Sequence, residues 1–260
     1  MSGKPDNAGA ARNADDLGAA RLDQLRQSLA AVKARIADAC ASAGRDPAEV
    51  RLLAVTKTFP AIDVAALIDL GLRDFAENKD QEGGAKAAEA ARLRPDADVR
   101  WHMVGRLQRN KARTVVRWAD EVQSVDSPRL ADALGRAVAN RIERGERSGP
   151  LDVQVQVSMD ADPERGGCPS EDVPDLVKHI DQMSELSVTG LMTVAPIDAD
   201  QDSVFARLQR LFHQVQRDFP GVVELSAGMS GDLERAVAHG STCVRVGTAL
   251  LGGRELASRG

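Results

Sequence analysis

Tyrosine is absent from this chain of 260 residues, and aromatic side chains make up only 3% of it. Its three cysteines, Cys40, Cys168 and Cys243, lie far apart and in no C-x-x-C spacing. An odd, scattered set excludes a disulfide framework or a zinc ribbon; each thiol is expected to be a small packing group in a reducing compartment. Four histidines without an H-x-x-x-H pair leave no metal constellation. No apolar run approaches the ~18–20 residues of a membrane span, and the N-terminus has no signal-peptide core, so a cytoplasmic location is expected. The net charge of −5 lacks the basic footprint that nucleic acid requires. One stretch runs against that balance, Arg106-Leu107-Gln108-Arg109-Asn110-Lys111-Ala112-Arg113, and reads as a solvated helix face. Lysine is scarce, with seven among 34 basic residues.

What is present is a repeating pattern. A chain of 260 residues with 43% hydrophobic content can bury a full core and has the length of one α/β barrel. Residues 1–18 have no apolar periodicity and read as a disordered tail; residues 19–260 read as one domain. Leu22, Leu25, Leu29, Val32 and Ile36 recur at three- and four-residue spacing, which predicts a helix from about Ala20 to Ala43, stopped by Gly44 and Asp46-Pro47. Short apolar runs at 51–56, 73–76, 100–104, 121–125, 151–157, 187–192, 222–225 and 242–246 then predict strands. Helical patterns at about 60–70, 80–92, 107–117, 128–143, 170–183, 201–217 and 232–239 separate them. Such alternation implies βαβ units and a parallel sheet, and eight strands favour a closed (β/α)8 TIM barrel over an open doubly wound sheet. The first helix is an extra element before the barrel.

Polar residues gather where the predicted strands end, the face on which barrels place their chemistry. Lys57 closes Leu52-Leu53-Ala54-Val55-Thr56, where a charge is least expected. An amine there can enter a water-poor pocket, where desolvation makes it a nucleophile toward aldehydes. A snorkelling or ion-paired lysine is the plainer alternative. Glu77-Asn78 follow the second strand, His102 lies within the third, and Ser124 and Asp126 flank the end of the fourth. Ser226-Ala227-Gly228-Met229-Ser230-Gly231-Asp232 and Gly247-Thr248 open the last two helices with small residues. Adjacent helix N-termini with hydroxyl donors suit a phosphate, although Ser230 as an N-cap with Asp232 behind it explains the same residues. A reactive lysine facing a phosphate cradle fits a phosphorylated aldehyde, and pyridoxal 5′-phosphate (PLP) carries both groups.

Six ordered motifs carry a resemblance. They are Leu53-Ala54-Val55-Thr56-Lys57-Thr58; Phe75-Ala76-Glu77-Asn78 with Gln81-Glu82; Trp101-His102-Met103-Val104-Gly105 with Leu107-Gln108-Arg109-Asn110-Lys111; Gly190-Leu191-Met192; Leu225 to Asp232; and Val244-Arg245-Val246-Gly247-Thr248 with Gly252-Gly253-Arg254. Together, from about residue 20 to 254, the chain resembles the pyridoxal phosphate homeostasis protein family (the YggS/PROSC group), which is similar to the barrel half of alanine racemase standing alone. The resemblance implies that Lys57 holds PLP as a Schiff base, that Asn78 lines the pocket, and that Ser230, Gly247 and Thr248 hold the phosphate. It also places Arg245 against the pyridine nitrogen. A cation there cannot accept the ring proton, so the ring stays neutral and is a poor electron sink. A salt bridge from Arg245 to Glu77 is the structural alternative. Three stretches depart from the family's usual pattern: Ala76-Glu77-Asn78-Lys79, Gly105-Arg106-Leu107-Gln108 and Glu164-Arg165-Gly166-Gly167. Lys79 and Arg106 bear on the pocket rim.

The missing tyrosine now acquires a meaning. Alanine racemase uses a lysine and a tyrosine from a second domain as its two bases; this chain has no tyrosine and no length for that domain. His102, inside an apolar strand, reads as a packing residue rather than a proton donor. The expectation is therefore a monomeric carrier that buffers PLP or delivers it to apo PLP-dependent enzymes, with no catalytic residues of its own. A weak PLP-dependent enzyme acting on a small amino acid is the alternative.

Overall fold

Eight parallel strands close on themselves in the computed structural model, which describes residues 18–160, 165–196 and 198–253. They are β1 (Arg51–Val55), β2 (Asp74–Glu77), β3 (Arg100–Met103), β4 (Glu121–Val125), β5 (Leu151–Ser158), β7 (Leu186–Met192), β8 (Glu224–Ser226) and β9 (Cys243–Val246). Between β5 and β7, β6 (Cys168–Pro169) is a two-residue strand that pairs only with the end of β5. Pairing runs from β1 through β2, β3, β4, β5, β7, β8 and β9 back to β1, which is the expected (β/α)8 barrel. The helices are α1 (Ala19–Ser42), α2 (Ala61–Asp69), α3 (Asp80–Leu93), α4 (Ala112–Val115), α5 (Pro128–Glu143), α6 (Val173–Asp181), α7 (Gln201–Asp218), α8 (Leu233–Ala238) and α9 (Thr248–Leu251). The extra helix α1 buries Leu25, Leu29, Val32 and Ile36 and packs on α8 and α9. Residues 1–17 of the expected tail lie outside the described residues.

Strand alternation sorts the side chains into two very different layers. Outward-facing Leu52, Ala54, Phe75, Val122, Val153 and Val244 join helix residues in two large apolar clusters. The registers bring Leu53 beside Arg245, Ala76 beside His102 and Met192 beside Ser226, all on the opposite face. Barrel interiors are usually filled by branched aliphatics. This one holds a small apolar cluster of Leu53, Ala76 and Cys243, with Met192 beside Ser226, and many polar side chains. All three cysteines are buried free thiols, and burial pushes Cys168 up to about 12. Among the described residues, no helix is long and apolar enough to cross a membrane.

One expected helix shrinks. Residues 107–117 form a single 3-10 turn (Arg109–Lys111) and one α-turn, α4. The β-branched run Thr114-Val115-Val116 is a poor helix former. Thr114 Oγ1 donates instead to the Asp80 carboxylate on α3 and to Lys111 O. A shortened element at this position leaves clefts on both of its sides, toward α3 and toward α5.

Candidate functional site

The mouth of the barrel is set by strand register. Pairing of Ala54 with Val246 and of Val55 with Ala76 places Lys57 between Gly247-Thr248 on one side and Asn78 on the other. Gly247 approaches β1 closely: a Cβ there would stand 3.3 Å from Val55 O. Gly105 sits against the same rim, where a Cβ would come within 2.1 Å of Asn78 O. Gly105 is required by this close backbone approach rather than by φ, and at Gly247 a Cβ would be tight.

Lys57 is exposed, which corrects the expectation of a water-poor pocket around its amine. The reason is its place in the turn after β1, at an open end that solvent reaches. The desolvated lysine nearby is Lys86, on α3, which sequence reasoning passed over as part of an amphipathic helix. Lys86 Nζ donates to Thr56 O at 2.6 Å, to the Glu77 carboxylate and to Glu82 at 3.1 Å. Thr56 Oγ1 donates to Glu77 Oε1 at 2.6 Å. Burial pushes the Glu77 carboxyl above its usual range, against the pull of Lys86 and Thr56. This outward-facing cluster clamps the backbone immediately before Lys57. On the other side, Thr58 has φ of 70°, a genuine outlier for a β-branched residue, and its N–H donates to Glu82 Oε1. The turn that presents Lys57 is thus held by Glu77, buried on the outward face of β2, and by Glu82, which also lines the rim cavity beside Asn78. An acidic i, i+4 partner of Lys86, Glu82, was the sequence signal available for it.

Arg245 is 4% exposed and points into the barrel. Its guanidinium donates to Ser226 Oγ at 2.8 Å and to Thr193 O at 2.6 Å. The alternative of a salt bridge to Glu77 is overturned, because Glu77 lies on the outward face of β2 and pairs with Lys86. No carboxylate among the described residues pairs with Arg245, and burial lowers its pKa. Ser226 Oγ in turn donates to Gln123 Oε1 at 2.8 Å, and Gln123 Nε2 reaches Glu121 Oε1 at 3.3 Å. A polar chain therefore runs from Arg245 down the barrel axis.

The two loops proposed for an anion do converge. Ser230 Oγ accepts from Ala249 N at 3.3 Å, so the loop after β8 touches the start of α9 beside Gly247 and Thr248. The N-cap role for Ser230 is corrected. Asp232 occupies the N-cap position of α8, and its carboxylate accepts from Met229 N at 2.6 Å inside the loop. Gly228, at φ of 91° with Ala236 Cβ 2.6 Å from where a Cβ would sit, cannot be another residue.

His102, the third of the four residues of β3, faces the barrel interior, with its Nδ1 3.4 Å from Gln123 Nε2 in the polar chain that leads to Arg245. Its Nε2 is 3.1 Å from Asp74 and its Nδ1 is 3.3 Å from Glu121. Burial favours the neutral ring, but the hydrogen bonds to Asp74 and Glu121 outweigh it and raise the pKa. Buried, with a carboxylate at each ring nitrogen, it has the surroundings of a hydrogen-bonded packing residue.

A family model described as "Alanine racemase, N-terminal domain" matches residues 27–255. A pyridoxal phosphate homeostasis protein of Mycobacterium tuberculosis (strain ATCC 25618 / H37Rv) is 48% identical over 247 residues, covering 92% of this chain and 96% of the relative. PipY of Synechococcus elongatus PCC7942, solved with PLP bound, superposes with a TM-score of 0.74 at 33% identity, covering 88% of this chain and 100% of PipY. Alanine racemase from Corynebacterium glutamicum shares the fold alone, with a TM-score of 0.63 at 16% identity over 88% of this chain and 60% of the racemase.

Proposed function

The chain belongs to the alanine racemase N-terminal domain family and, within it, to the pyridoxal phosphate homeostasis proteins, and on that premise we propose that it holds PLP and serves its homeostasis. The barrel of residues 19–260 is the binding unit and residues 1–18 are a tail outside it. The residue set fits the group. When bound, PLP supplies an aldehyde that condenses with an amine and releases water. Lys57 is the amine at the mouth, with Asn78 beside it. Ser230, Gly247 and Thr248 offer hydroxyl and N–H donors to a phosphate from two touching loops. Arg245, a buried cation without a carboxylate partner among the described residues, would face the ring nitrogen as a hydrogen-bond donor and would offer no acceptor for a proton on it. That buried, unneutralised guanidinium is the observation that carries the reading.

We read the protein as a carrier and not an enzyme. Lys57 is the one proposed base at the mouth, since His102 is held inside the barrel between Asp74 and Glu121. The chain is a cytoplasmic monomer that hands PLP to apo PLP-dependent enzymes. The purified protein with PLP is expected to absorb visible light, and borohydride is expected to fix the label on Lys57. Lys57→Ala should lose that absorbance; a label on another lysine would refute the site. In deuterated buffer, α-proton exchange from L- or D-alanine should not exceed that of free PLP. Faster exchange that disappears in Lys57→Ala would make the protein an enzyme.

A further inference from the structure

Arg109 and Arg113 of the basic stretch after β3 are exposed as expected, but they stand on two short turns rather than on one helix face. Because α4 is a single turn, a groove of about 1280 Å³ opens between it and α5. Arg109 and Arg113 stand on one wall, Arg129 and Arg136 on the other, and all four are exposed. None of the four makes an ion pair among the described residues. Arg129 and Arg136 are seven residues apart on α5, two turns or about 10 Å along one stripe. Leu107, Leu130, Ala133 and Ala137 make an apolar floor between the walls. Such a trough is cationic on a chain whose net charge is −5.

Its shape selects among anions. The stripe is too long for one phosphate and spans about three residues of extended peptide. A single nucleic-acid strand needs aromatic side chains on which bases stack, and no aromatic residue lines the groove. An apolar floor between two cationic walls suits an acidic peptide that also carries an aliphatic side chain. The groove also reaches the rim of the mouth. Arg106, Leu107 and Gln108 line both it and a smaller cavity of about 360 Å³ that includes Asn78.

We propose that this groove docks an acidic segment of the protein that receives the cofactor. The docking role rests on the carrier reading above; binding of the acidic segment does not.

The test uses the full chain, with a fluorescein-labelled oligoglutamate of about ten residues as the probe and an oligothymidylate of equal charge as its rival. Fluorescence anisotropy should show oligoglutamate binding. Arg109→Glu with Arg129→Glu and Arg136→Glu should weaken it by about tenfold or more, with melting temperature and visible PLP absorbance unchanged. A control triple on the exposed face of α7, Arg207→Glu, Arg210→Glu and Arg217→Glu, carries the same net charge and should bind the peptide as wild type does. Unlabelled oligoglutamate should also slow transfer of PLP from the holoprotein to an apo-aminotransferase. Equal weakening in both triples, tighter binding of oligothymidylate, no peptide binding or unslowed transfer would each overturn the proposal. Lys57→Ala separates the two readings: it should keep peptide binding while losing PLP absorbance. If wild type itself shows no Lys57 label yet binds the peptide, the cofactor reading fails and the groove stands.

Discussion

The two ends of one barrel solve opposite problems. At the N-terminal end, Arg51 bonds Glu224 at 2.6 Å, Arg100 bridges Glu121 at 2.9 Å and Asp152 at 2.5 Å, and His102 sits between Asp74 and Glu121. Gln154 Nε2 donates to Glu121 and Glu224 at 2.6 and 2.8 Å. Charges there answer one another within the chain. At the C-terminal end, Lys57 is exposed and Arg245 has only neutral partners. Paired charges close a structure; charges left without counterions wait for a ligand. The difference teaches which polar residues of a barrel to read as binding groups and which as architecture.

Breaking the closed end should cost the most. Glu121 is fully buried and accepts from Arg100, Gln123 and Gln154. Glu121→Ala leaves Arg100 and His102 without their shared counterion and should cost about 3–5 kcal/mol, read by denaturant unfolding. A loss below about 1 kcal/mol would mean that this network is solvated rather than structural.

The open end should fail differently, in binding and not in stability. Ser230→Ala with Thr248→Ala should weaken PLP by about two orders of magnitude, because each charge-assisted hydrogen bond is worth about 1.5–3 kcal/mol. Unphosphorylated pyridoxal should lose almost nothing, and the melting temperature should hold. Equal losses for both ligands would place the phosphate elsewhere.

A titration sharpens the comparison further. His102 has a raised pKa in the fold, so its contribution is fully present below the unfolded value of 6.5 and is lost as pH rises through the folded value. His102→Gln should therefore destabilise the protein more below pH 6.5 than in the alkaline range. Constant destabilisation across that range would show that the ring is neutral. PLP affinity of the variant, measured near pH 9, should match wild type.

The smallest effect tests the link between the ends. Gln123 is the step from Ser226 to Glu121, so Gln123→Leu cuts the polar chain while Thr193 O still holds Arg245. PLP affinity should fall only a few-fold, about 1 kcal/mol, with a shift in the pH at which the bound chromophore titrates. An effect as large as that of the Ser230 and Thr248 pair would make the network part of the binding site.

Much of this was legible before any coordinates. Period-two and period-3.6 patterns placed all eight barrel strands and most helices within a few residues, because one apolar layer outside the barrel dominates each element's pattern. Lys57, Asn78, Arg245 and Gly247 stood out because strand ends are where a barrel's polar residues converge. The shortened α4 was not legible, since the tertiary bond from Thr114 to Asp80 competes with helix propensity there. Lys86 was missed because a buried lysine on a helix looks like any lysine on an amphipathic face until its partners Glu77 and Thr56 are known.

Composition and local pattern determined the class of molecule: a parallel barrel with a lysine directly after its first strand, scarce in aromatics and without a metal-ligand motif. Such properties depend on residues near in sequence, so the chain alone carries them. Which charges cancel was decided only by closure of the barrel. Glu77 and Arg245 are both buried and both lie in the last two residues of a strand, yet the pleat turns one outward to Lys86 and the other inward to Ser226. Arginines from either side of β4 became one groove only because the element between β3 and β4 is a single turn. Pairing between distant residues is a property of register and packing, and those exist only in the folded chain.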